Sequence, residues 1–142
     1  MKNIEKRLQT YFITSVFSII FALIGFSYNV WRLQKSEENN TVRIASFEVL
    51  SQLAEFEQIL YAAHYDKNSI EGSPRKGWIK IGLITDMSLL ISKPVEIKTV
   101  RLKELWSENW ENISTDKEAI NILVQELDTV RNEIRVQLTS LE

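Results

Sequence analysis

The sequence predicts an all-α protein in which one N-terminal transmembrane helix precedes an antiparallel four-helix bundle-like soluble domain. An uncharged apolar run fills residues 11–31, and apolar residues then recur at helical spacing through 41–142. Only 4 Gly and 2 Pro occur among 142 residues, which favours helices over strands and loops. We therefore divide the chain into a basic flank (1–10), a transmembrane helix (11–31), a juxtamembrane segment (32–40) and a helical bundle (41–142).

The predicted membrane helix has the length and the ends of a bilayer span. No charged residue lies between Tyr11 and Trp31, and this stretch forms roughly 31 Å of helix, about the thickness of a hydrocarbon core. Tyr11 at one end, and Tyr28 with Trp31 at the other, are aromatic residues of the kind that prefer membrane interfaces. Arg7 and Arg32 close the run with positive charge.

Two other interpretations of this run remain open. A buried core helix of this length would be unusually apolar for so small a domain. A cleaved signal peptide fits the basic start at Lys6 and Arg7 and the small-x-small sequence Gly25-Phe26-Ser27. The run is longer than a usual signal core and lacks an Ala-x-Ala site, so a retained single-pass anchor is the favoured prediction.

The charges that flank the span do not by themselves decide its orientation. Basic residues near the span are equal in number on its two sides: Lys2, Lys6 and Arg7 before it, and Arg32, Lys35 and Arg43 after it. Long C-terminal domains cross membranes largely regardless of charge, which favours an N-terminus inside and a bundle outside. We expect a bacterial inner-membrane location, with a periplasmic bundle favoured over a cytoplasmic one.

One side of the predicted span carries small or polar residues at alternating steps of three and four. These are Ser15, Ser18, Ala22, Gly25 and Asn29. Small side chains let two membrane helices approach closely, and Ser or Asn can hydrogen-bond across the contact. The pattern predicts a transmembrane packing seam, formed with a second copy or with a partner. Because small residues are common in membrane helices, chance remains the competing interpretation.

The first two helices of the bundle are predicted over residues 41–65 and 74–92. Their predicted core positions are Val42, Ala45, Val49, Leu50, Gln52, Leu53, Phe56, Ile59, Leu60 and Ala63, then Trp78, Ile81, Ile84, Leu89 and Ile91. A polar loop over 66–77 separates the two helices. Ser73-Pro74 is a typical helix start, with a serine cap and a proline whose missing N–H costs nothing there.

The last two helices follow a turn at Pro94. The third is predicted over 96–111, and the sequence Thr115-x-x-Glu118 predicts a capping box ahead of the fourth. Predicted core positions are Val100, Leu102, Leu105, Trp106 and Trp110, then Ile120, Leu123, Leu127, Val130, Ile134, Leu138 and Leu141. The charged residues Glu126, Arg131, Glu133 and Arg135 fall off this stripe, and we expect them to face water.

The stretch Pro74-Arg75-Lys76-Gly77-Trp78 is the most distinctive short sequence in the soluble part. Two cations beside a tryptophan at a helix N-terminus could bind an acidic partner, so Arg75, Lys76 and Trp78 form a candidate partner-binding tip. The alternative is a capped helix start with a core tryptophan and solvated cations.

Composition and motifs do not indicate catalysis. The chain has no cysteine, and its single histidine, His64, lacks the Glu-x-x-His spacing of a di-iron bundle. No phosphate-binding loop or nucleophile motif occurs, so we predict no enzyme activity, no cofactor and no metal site. A net charge of −2 without a basic stripe argues against nucleic acid.

These features predict a membrane-anchored interaction or scaffold module. Its expected partners are the membrane, together with a protein partner or a second copy that docks through the seam or the bundle surface. The alternative is an extracytoplasmic ligand-sensing bundle that signals through a partner protein.

Overall fold

A computed structural model describes the backbone of residues 2–141 and the side chains of residues 4–141, so Met1 and Glu142, the outer limits of the predicted domains, lie outside it. Within this range the chain forms four α-helices and no strand: α1 (Lys2–His64), α2 (Pro74–Ser88), α3 (Lys93–Asn109) and α4 (Lys117–Thr139). The all-α prediction is confirmed. The chain divides into two compact units, Met1–Glu38 and Asn39–Glu142.

The first unit contains the apolar run. Its most apolar window has a mean hydropathy of 1.9, and none of it is buried by other parts of the chain. The helix is thus long and apolar enough to cross a membrane. Length and composition alone define this property, and a signal sequence near an N-terminus shares it.

The second unit, which we call the bundle, packs the last part of α1 against α2, α3 and α4. Apolar side chains from all four helices form one core, as their helical spacing requires. Trp106 is its largest fully buried residue, and its ring meets Phe56 edge to face with centroids 5.2 Å apart. The other fully buried large residues are Leu53, Leu60, Ile81, Ile84, Leu102, Ile113, Ile120, Leu123, Leu127 and Ile134.

The turn between α2 and α3 differs from its prediction. α2 ends at Ser88, four residues earlier than expected, and the N–H groups of Leu90 and Ile91 bond back to Met87 and Ser88 in a tight turn. Ser92 then caps α3, and Pro94 lies in the first turn of that helix. Proline fits there because first-turn N–H groups have no partner within the helix, so its interpretation as a break was wrong.

The cap of α4 was also assigned to the wrong residue. The side chain of Asp116 accepts a 2.8 Å hydrogen bond from the Glu118 N–H, whereas the Thr115 hydroxyl bonds back to Asn112. Ser73 does stand at the N-cap of α2 with Pro74 after it, but its side chain makes no capping hydrogen bond.

Several predicted core and surface positions exchange roles. Trp78, Leu89 and Val100 are 37%, 62% and 39% exposed, although each was expected in the core. Leu89 lies beyond the end of α2, so its side chain no longer follows the periodicity of that helix. Arg131 and Glu133 are largely buried rather than facing water, because each forms an ion pair with a neighbouring helix.

Candidate functional site

The predicted transmembrane seam lies on one exposed side of α1. The polar members bond to their own helix: Ser15 Oγ to the Tyr11 carbonyl at 2.8 Å, and Asn29 Nδ2 to the Gly25 carbonyl at 3.0 Å. Ser18 does the same with Thr14. These bonds satisfy donors that would otherwise be costly in an apolar surrounding.

Gly25 leaves open space at this seam. A Cβ added at Gly25 would meet no atom within 4 Å. Ala22 and Gly25 therefore leave a shallow, uncovered depression on the helix, which gives room for the backbone of a second helix.

The three residues of the predicted tip do not form one cluster. Arg75 is exposed and makes no ion pair with any described residue, whereas Lys76 Nζ lies 2.9 Å from Glu71 Oε2. Trp78 instead packs edge to face on Trp106, with ring centroids 6.0 Å apart. Lys76 and Trp78 line separate grooves, and Arg75 is the one cation of the predicted tip without an ionic partner among the described residues.

One concave surface of the bundle is a groove between α1 and α2, which we call the α1–α2 groove. Its volume is about 620 Å³, and it is partly open to solvent. Ile59, Ala62 and Ile79 give it an apolar floor, and Ile79 is 65% exposed. The remaining lining residues are Glu55, Gln58, Tyr61, Asp66, Glu71, Lys76 and Lys80.

Lysines and carboxylates pair along the rim of the groove. Lys80 Nζ bonds to the carboxylate of Glu55 and, at 2.8 Å, to Gln52 Oε1, which joins α2 to α1. Together with the Lys76–Glu71 pair, this leaves alternating positive and negative groups around an apolar strip. Such a surface suits an amphipathic protein segment better than a strongly charged ligand.

A second charged network joins α1 to α4 beside the groove. Arg131 Nη2 lies 2.5 Å from Glu57 Oε2, and the Tyr61 hydroxyl donates a 2.8 Å hydrogen bond to the other oxygen of Glu57. That hydrogen bond, with burial and the negative charge of Glu57, raises the pKa of Tyr61 to about 12. Burial lowers the pKa of Arg131, but its hydrogen bonds to Glu57 and Asp128 outweigh this effect and raise it.

A smaller cavity of about 340 Å³ lies beneath the loop that follows α1. Pro74, Trp110 and Ile113 contribute apolar walls. His64 Nδ1 lies 2.9 Å from the Ile113 carbonyl, so the histidine links the end of α1 to the segment before α4.

No group of three or more His, Cys, Asp or Glu side chains suited to a metal ion occurs among the described residues. Sequence reasoning missed the α1–α2 groove, because the groove depends on how two helices pair. The available signal was Ile79, an apolar residue away from the predicted core stripe of its helix.

The chain matches no protein-family model, no curated protein and no solved structure.

Proposed function

We propose that this chain is a single-pass membrane protein whose antiparallel four-helix bundle serves as an interaction or scaffold module, without catalytic activity. The observation that carries the proposal is the helical, uncharged run over residues 11–31, which stays exposed among the residues that the structure describes. Such a surface is unfavourable in water, and a bilayer removes it from water. N-terminal sequencing of the membrane-bound protein tests it, since a cleaved signal peptide would leave a chain without this run.

The α1–α2 groove is the surface that we assign to a protein partner. Its apolar floor and paired charges resemble the core and rim of protein interfaces. An open groove of this kind accepts an amphipathic helix more readily than it encloses a small molecule.

Site-specific photo-crosslinking in native membranes tests the groove. A photoreactive residue in place of Ile79 is expected to give a discrete adduct with another protein. Asn121, exposed on α4, is the matched control position and is expected to give none. Equal labelling at both positions, or no adduct at Ile79, would argue against this docking site.

We also propose that the bundle lies on the outer side of a bacterial inner membrane, in the periplasm, in preference to the cytoplasm. The support is the length of the domain that follows the span, because long domains cross membranes largely regardless of charge and the nearby basic residues are equal in number on the two sides. Alkaline phosphatase fused after Glu142 should be active, while green fluorescent protein at the same place should stay dark. The reverse result would place the bundle in the cytoplasm.

A second candidate function is extracytoplasmic ligand sensing through a partner protein. The cavity beneath the loop after α1 favours it, because about 340 Å³ with apolar walls falls within the usual size of small-molecule sites. A ligand that fills it should raise the melting temperature, and Ile113→Ala should weaken that effect. Inertness towards a broad metabolite library would remove this candidate.

A further inference from the structure

A second surface runs along the side of α1 that faces away from the bundle core. Exposed side chains recur there at alternating steps of three and four residues, and Tyr65 follows the last residue of the helix. This outer stripe comprises Ile44, Phe47, Ser51, Ala54, Gln58, Tyr61 and Tyr65, and it meets the α1–α2 groove at Gln58 and Tyr61, which also line that groove. None of the seven is charged, although charged residues make up 25% of the chain. Ile44 and Phe47 are 61% and 64% exposed.

The spacing of the outer stripe is that of a coiled-coil seam. If Ile44 and Phe47 are given heptad positions a and d, every later member falls on a or d as well. Position f then falls on Val49, Phe56 and Ala63, which are buried in the bundle core. One helix thus carries two opposite faces, one filled by its own bundle and one left uncovered.

We propose that the outer stripe is covered by the same stripe of a second copy, in a parallel, in-register pair of α1 helices. Charge complementarity supports this occupant. In a parallel pair, a g residue faces the e residue five positions later on the other helix. Arg43 and Glu48 hold those positions, so each copy presents the cation that the other requires.

The other charges beside the outer stripe fit the same arrangement. Arg43 forms no ion pair with any described residue, and Glu48 accepts a hydrogen bond only from the uncharged amide of Gln52. Glu55 and Glu57 are instead paired with Lys80 and Arg131 of their own bundle. Arg43 of one copy can therefore attract Glu48 of the other copy. Glu55 and Glu57 are already neutralised within their own bundle and would not repel each other across the pair.

The parallel direction rests on the proposed membrane anchor. In both copies the outer stripe follows the proposed anchor in the chain, so both stripes begin from the same membrane, and this favours a parallel pair over an antiparallel one. A two-fold axis along the outer stripe then places each residue opposite its own counterpart and forms the Arg43–Glu48 contact twice.

Single-cysteine cross-linking of the full chain in liposomes tests this pairing, because the natural sequence has no cysteine. Phe47→Cys and Gln58→Cys should both give disulfide-linked dimers on mild oxidation. Gln125→Cys, exposed on α4, is the control and should remain monomeric. A cross-link at only one of the two stripe positions would indicate an antiparallel or shifted contact, and equal cross-linking at Gln125→Cys would indicate random collision. Either result overturns the proposal, as does the absence of any cross-link.

Charge reversal gives an independent test of the register. Arg43→Glu should weaken dimerisation roughly tenfold, because like charges then face each other. The double variant Arg43→Glu/Glu48→Arg should restore it, and failure of this rescue would contradict the register. Flotation with the liposomes, measured on the same samples, separates a failed anchor from a failed dimer.

Discussion

Glu57 accepts hydrogen bonds from residues of two helices, α1 and α4. One of its oxygens accepts from Tyr61, one turn along α1, and the other faces Arg131 of α4 at 2.5 Å. A carboxylate that accepts hydrogen bonds from two donors is held in one orientation, so a change in its charge should alter the hydrogen bonds and the pKa values of both donors.

The alkaline titration of Tyr61 reports on this carboxylate. The pKa of its phenol is raised to about 12, above the usual value of about 10 in an unfolded chain. A raised pKa contributes stability that is complete below pH ~10 and is lost as the pH rises towards 12. The ultraviolet absorbance of phenolate should therefore show a late step near pH 12. Tyr61→Phe should remove that step, and Glu57→Gln should move it down; a late step that survives Tyr61→Phe would refute the assignment.

Two glycines of α2 should respond in opposite ways to the same change. A Cβ at Gly77 would lie 2.4 Å from Cζ2 of the fully buried Trp106, whereas one at Gly82 would meet nothing within 4 Å. Gly77→Ala should cost about 1–3 kcal/mol through overpacking. Gly82→Ala should stabilise by about 0.5–1 kcal/mol, because alanine loses less conformational entropy in a helix. Urea denaturation measures both, and similar effects of the two changes would contradict the close packing at Gly77.

At the scale of helices, the bundle contains ion pairs between helices and ion pairs within one helix, and the two kinds differ in burial. The side chain of Arg131 is only 17% exposed where it meets Glu57, whereas Arg101 and Glu104 form a pair on α3 that is more than half exposed at each end. A partly buried pair depends on both partners, because removing one leaves the other without compensation.

Replacing each arginine should therefore lower the stability of the bundle by different amounts. Arg131→Gln should destabilise the bundle by roughly 1–3 kcal/mol, since Glu57 loses its cation in a poorly solvated place. Arg101→Gln, the matched control, should change stability by less than about 0.5 kcal/mol. Thermal or urea unfolding, followed by circular dichroism, gives both values, and equal losses would show that burial does not distinguish the pairs.

Helix existence was predictable from the sequence, and helix ends were less so. The heptad stripe of α4 identified Ile120, Leu123 and Leu127 as core because buried positions follow helical period directly. Caps depend on local backbone geometry, which a pattern does not contain. Thr115 and Asp116 are adjacent acceptors, and the backbone places Asp116 at the helix start.

At the scale of the whole molecule, the two units differ in how much of their apolar surface they bury. The bundle buries a core of its own apolar side chains, whereas the apolar side chains of residues 11–31 stay exposed. The spacing of the predicted seam could be read from the sequence because its residues lie on one helix, and its role in helix packing stays a prediction. The α1–α2 groove could not, because its shape arises from two helices whose pairing the sequence pattern leaves undetermined.

Self-association through the seam can be tested by one matched pair of changes. Gly25 and Ser27 are two residues apart in α1, so their side chains point to opposite sides of the span. Gly25→Leu should fill the seam and weaken self-association in detergent or liposomes, because the backbones could no longer approach. Ser27→Leu adds similar bulk on the far side and should leave association unchanged. Neither change should alter unfolding of the bundle, and equal loss of association in both variants would exclude the seam as the contact.

The contact between Trp78 and Trp106 gives the bundle an optical property of its own. Two indoles at 6.0 Å and 71° are close enough for their electronic transitions to couple, and they report on tertiary packing in the near-ultraviolet. Trp78 lies in the first half of α2 and Trp106 near the end of α3, so the signal depends on those two helices staying together. If α2 and α3 separate before they unwind, the near-ultraviolet dichroism disappears while the far-ultraviolet spectrum still reports helix, and the order of these two events can be read from the unmodified chain.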